Sequence, residues 1–129
     1  FIEKQGENHM GNRANFRVVA DSWKHDDLRN GIDFEIPSTI DSSKKSLLSF
    51  MLDVTVNGSV KFSLPINGKK VWTGNFENVW RWSNFQEALE ASDLRVGTNT
   101  DSFEYESSSN GDFDYSSVRF SDIVIWWRE

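Results

Sequence analysis

Apolar and polar residues alternate most regularly between Leu48 and Ile66. Leu48, Phe50, Leu52, Val54 and Val56 are separated by Ser49, Met51, Asp53 and Thr55. After Asn57-Gly58 the alternation resumes with Val60, Phe62, Leu64 and Ile66. A period of two turns one apolar face inward and one polar face towards water, as in an antiparallel sheet covered on one side. An Asn-Gly pair between two such runs suits a type I′ turn, whose central residues both need positive φ. The spacing therefore predicts a β-hairpin over Leu48–Ile66 that turns at Asn57-Gly58. Pro65 has no amide donor and is expected at a strand end or edge. Asn67-Gly68 repeats the turn signal and leads into Lys69–Thr73, where Val71 and Trp72 are expected on opposite faces.

Shorter strands flank this region. Phe16–Ala20 places Phe16, Val18 and Ala20 on one face, and Ile32, Phe34 and Ile36 alternate until Pro37 stops the run. Leu94–Gly97 and Phe103–Tyr105 return to strand spacing. In Val118–Trp127 the phase changes: Val118 and Phe120 share one face, while Ile123, Ile125 and Trp127 share the other. A bulge near Ser121-Asp122 reconciles the two. One helical interruption is expected at Ser83-Asn84-Phe85-Gln86, which fits a capping box and is followed by Ala88 and Leu89 at helical spacing. The polar stretches 21–31, 38–46 and 107–111 read as loops, and residues 1–15 as a loose arm. Together these elements predict a single domain over 1–129, an all-β antiparallel β-sandwich of jelly-roll type with one short helix.

Charge then narrows the partners. The net charge is −6, and the adjacent basic pairs are Lys44-Lys45 and Lys69-Lys70. No basic stripe is present to neutralise phosphates, which argues against nucleic acid and against an anionic membrane surface. No apolar run approaches a membrane span, so membrane insertion is not expected. The absence of cysteine excludes disulfides and thiolate chemistry. The opening Phe1-Ile2-Glu3-Lys4 is not a signal peptide and suits a processed product. The expected location is extracellular or secreted.

Candidate chemistry centres on tryptophan. The chain has 6 Trp and 10 Phe against 2 Tyr. Trp72, Trp80 and Trp82 lie close together, with Arg81 between the last two. Exposed rings stack on the C–H faces of sugar rings while neighbouring polar groups bond to hydroxyls, and rings of this kind also roof cores. Of Trp126 and Trp127, adjacent on a strand, one is core and one exposed, and Trp127 joins Trp72, Trp80, Arg81 and Trp82 as a candidate ligand contact. Trp23 lies in a polar loop. Asn110, Asp112 and Asp114 recur at every second position around Gly111, an oxygen-rich loop able to ligate Ca²⁺; an acidic loop of this kind can equally be simply solvated. No cofactor is otherwise required. Catalysis has little to stand on: His9 and His25 lack metal-ligand spacing, and no pair among the 20 acidic residues stands out.

Trp80–Leu89, then Leu94-Arg95-Val96-Gly97-Thr98-Asn99, a Gly-containing loop, and Val118-Arg119-Phe120-Ser121-Asp122-Ile123-Val124-Ile125 resemble the closing strands of jelly-roll carbohydrate-binding modules. The same residues also look like laminin-G or galectin-type lectin sandwiches, although the galectin pattern of His, Asn, Arg and Trp is not present as such. The resemblance covers the C-terminal half. It implies sugar contacts through exposed Trp, here Trp72, Trp80 and Trp82, and a structural Ca²⁺ in many members. The expectation is a non-catalytic domain binding a glycan or polysaccharide. A structural or adhesion domain with an aromatic protein interface is the alternative, followed by a small glycan-active enzyme.

Overall fold

The computed structural model describes residues 13–24, 26–109 and 118–129. Along them run β1 (Ala14–Ala20), α1 (Asp26–Arg29), β2 (Ile32–Ile36), β3 (Ser46–Ile66), β4 (Lys69–Leu89), a 3₁₀ turn (Ala91–Asp93), β5 (Gly97–Asp101), β6 (Glu104–Ser108) and β7 (Val118–Arg128). All pairings are antiparallel. The strands form one sheet in the order β1-β7-β3-β5-β2, with β4 and β6 also paired to β3. The all-β antiparallel expectation holds. One sheet suffices because β3 serves two sets of neighbours: Leu47 to Val54 pair with β7, and Val60 to Ser63 pair with β6.

The hairpin does not turn at Asn57-Gly58. β3 runs through that pair, which forms a bulge between the pairings Val56↔Val79 and Ser59↔Glu77. Gly58 has φ 110° and Asn78, across from it, φ 48°. The Gly58 amide donates to Asn78 Oδ1 at 2.8 Å, which closes the gap the extra residue opens. The turn is at Asn67-Gly68, with φ 53° and 83°, the positive pair a type I′ turn requires. A bulge accepts Gly for the same conformational reason as a turn. β4 then supplies a partner for both apolar runs of β3, which a turn at Gly58 would instead have set against each other.

The expected helix at Ser83–Gln86 is also strand: Phe85 pairs with Phe50 and Ser83 with Leu52. Phe85 stacks on Phe50 at 5.8 Å, a contact that a period of two delivers as well as a helical turn would. A local capping signal carries less than an uninterrupted ladder to β3. The short helix lies instead at Asp26–Arg29, inside the stretch read as a loop. Leu94 closes the 3₁₀ turn, so β5 begins only at Gly97.

The bulge at Ser121-Asp122 is present. Ser49 pairs with Val124 but Met51 with Ser121, and Asp122 has φ 49°. This slip brings Ile123, Ile125 and Trp127 to the same inward face as Val118 and Phe120. β1 slips likewise between Val18 and Ala20, so Ala20 is buried while Phe16 and Val18 stay exposed. The core gathers around Phe120, whose ring lies 5.6 Å from Phe50, 5.9 Å from Phe62 and 5.4 Å from Phe103. Both halves of β3 thus share one core. The ends of the sheet path meet where Arg17 Nε donates to the Glu35 carbonyl at 3.1 Å. No helix among the described residues is long and apolar enough to cross a membrane.

Candidate functional site

Because Leu48, Phe50, Leu52 and Val54 point inward, Leu47, Ser49, Met51, Asp53 and Thr55 of β3 point out. Register carries that face sideways. On β4, Trp80 lies opposite Thr55, Trp82 opposite Asp53, Asn84 opposite Met51, and Gln86 opposite Ser49. On β7, Arg119 lies opposite Asp53 and Trp126 opposite Leu47, with Phe16 of β1 beyond it.

Trp80 is 86% exposed and Trp82 is 70% exposed. They stand two residues apart on one strand, which spaces them by about 7 Å. Trp82 meets the ring of Trp23 at 6.1 Å with the planes tilted by 56°. Trp23 is held there because its neighbour Lys24 bridges to Phe120, with backbone bonds of 2.6 and 3.0 Å. The Arg119 guanidinium lies 5.0 Å above the Trp23 ring and pairs with the Asp53 carboxylate. Trp80, Trp82 and Trp23 therefore form one aromatic end of the outward face, set on an internally neutralised ion pair. Beside the Trp23 loop a cleft of about 690 Å³ opens along Val18, Ala20, Asp21, Lys24, Asp27 and Ile32.

The other candidates are placed differently. Arg81 projects from the opposite side of β4, its guanidinium 5.3 Å over Phe85 and its Nε donating to Ser83 Oγ at 3.0 Å. Trp72 packs into the core cluster, 4.9 Å from Phe50 and 5.4 Å from Phe85. Sequence spacing set Val71 and Trp72 on opposite faces, but a register shift between Leu64 and Pro65 leaves Val71 unmatched, and both pack against the core. Trp127 is 2% exposed, its indole N–H donating to Glu129 Oε2 at 3.1 Å. Trp126 takes the outward place at 40% exposure, 5.1 Å from Phe16 and with its N–H towards Ser49 Oγ at 3.4 Å. The phase shared by Ile123, Ile125 and Trp127 already signalled which of the two rings is core. Nothing in the sequence marked Phe16, because the slip that separates it from Ala20 is tertiary.

Asn110, Asp112 and Asp114, like His9 and His25, lie outside the described residues. Among the described residues no group of three or more His, Cys, Asp or Glu is placed to hold a metal ion.

From Leu47 to Thr55 and from Trp80 to Ala88, the outward positions carry one charge, Asp53, which Arg119 neutralises. On a chain of net charge −6, this face offers rings, hydroxyls and amides without net charge. Such a surface can stack on apolar ring faces and exchange hydrogen bonds with hydroxyl groups. No protein-family model matches the chain, and comparison with curated proteins finds no match.

Proposed function

We propose that the domain binds an uncharged glycan on the outward face of β3 and β4, with Trp80 and Trp82 as the principal contacts and Trp23 beside them. The observation that carries this reading is the pair of highly exposed indoles on one strand face. Exposing two large rings to water is unfavourable by the area they present, so an occupant that covers them gains that area and their stacking. Stacking of this kind needs no cofactor. An extracellular or secreted location belongs to the same reading.

Depletion binding on insoluble cellulose, xylan, mannan and chitin tests it. Trp80→Ala and Trp82→Ala are each expected to weaken retention about tenfold, a loss of ~1.4 kcal/mol. Arg81→Ala, on the other side of the strand, is expected to leave it unchanged. Absence of retention on every polymer, or retention by both tryptophan variants unchanged from the parent protein, overturns the reading.

A protein interface is the second reading, favoured by the edge position of β4. Among the described residues β4 pairs only with β3, over 21 residues, so its other edge is open to strand addition. Concentration-dependent association in sedimentation, with tryptophan fluorescence unmoved by any glycan, would select this reading over the first.

A further inference from the structure

The outward face carries a second aromatic end, formed by Trp126 and Phe16. Between Ser46↔Leu89 and Val56↔Val79 the β3–β4 register has no interruption, so the face does not change sides along this length. Trp82 lies at the level of Asp53 and Trp126 at the level of Leu47. Six residues of strand separate these levels, about 20 Å. The strip between them is made by Ser49 and Met51 of β3 and by Asn84 and Gln86 of β4, none of them charged.

We infer that the ligand is an extended linear chain running obliquely from β4 across β3 to β7, stacked on Trp80 and Trp82 at one end and on Trp126 and Phe16 at the other. The inference rests on the glycan reading and deepens it. A ligand covering one end leaves the other pair of rings in water, whereas a chain ~20 Å long covers both. The uncharged strip selects an uncharged polymer, because a charged sugar laid across it would lose hydration without meeting an opposite charge. The Trp126 N–H towards Ser49 and the Phe16 contact set the ring orientation before any ligand arrives, which reduces the ordering cost of binding.

Titration calorimetry with cello-, xylo- and manno-oligosaccharides, from disaccharide to octasaccharide, tests the inference. Affinity is expected to rise with length and to level off once the chain reaches both ends. Trp126→Ala is expected to weaken the longest chains about tenfold and to leave disaccharide and trisaccharide unchanged, while Trp82→Ala weakens all lengths. Phe16→Ala, at a position 51% exposed, repeats the test without altering the Trp126 strand. Affinity independent of length, or long chains unaffected by Trp126→Ala and Phe16→Ala while Trp82→Ala still acts, overturns the two-ended site and keeps the glycan reading. Failure of the parent protein to bind any oligosaccharide or polymer overturns the glycan reading itself.

Discussion

Asp101, the last residue of β5, is fully buried, and neither of its carboxyl oxygens has a well-formed hydrogen bond. Burial holds its pKa well above the usual carboxylate range, offset only in part by the neighbouring Ser102 amide. The folded protein therefore favours the neutral acid. Its contribution to stability is complete below the unfolded pKa, near 4, and is lost as pH rises towards the folded value, by up to about 1.4 kcal/mol per pH unit. Glu129 behaves in the opposite sense. Hydrogen bonds from Arg13, Asn15 and Trp127 lower its pKa to about 2, so the stability it adds is present above its unfolded pKa and is lost as pH falls from there through about 2. In Asp101→Asn the side chain cannot ionise. Urea unfolding should show the variant gaining on the parent as pH rises above about 4, with the advantage absent below it. A constant difference above and below that pH would contradict the assignment.

At the scale of elements, β4 depends on a glycine for its packing. A Cβ at Gly74 would sit 2.5 Å from Trp72 Cη2 and 2.8 Å from Phe76 Cε2, so the two rings close over the space a side chain would take. Gly74→Ala is expected to destabilise the fold by about 1–3 kcal/mol, read as a lower urea midpoint with an unchanged slope. Trp72, Gly74 and Phe76 stand at alternate positions of one strand, so a period of two puts both rings on the glycine's face; sequence spacing marked this strand only as far as Thr73 and so passed over it. The inward faces of β2, β3 and β7 were legible, because alternation reports burial directly. The choice between turn and bulge at Asn57-Gly58 was not, as both ask for a residue tolerant of positive φ. The strand at Ser83–Leu89 was hidden for a related reason: Phe85 and Leu89 fit a spacing of four and a spacing of two alike. The site was half legible. Trp80 and Trp82 were placed on one side by their shared phase, and the phase of Ile123, Ile125 and Trp127 told Trp127 from Trp126, whereas Trp72 was decided by the slip between Leu64 and Pro65 that only the pairing with β3 reveals.

For the whole molecule, the arrangement separates the side of the strands that builds the core from the side turned to water. Phe50, Phe62 and Phe120 lie on the inner side of the same strands whose outer sides carry Asp53, Ser49 and Trp126. β3 is common to every part of this arrangement, running from the β7 ladder through to the β6 ladder. Heating should therefore give one transition, with calorimetric and van't Hoff enthalpies equal, and two resolved transitions would show that the halves are independent. A beam built into two walls has no joint at which to yield. A strand shared in this way leaves the protein no partly melted state that spares one end of the aromatic face, so heat would remove both ends of that face together.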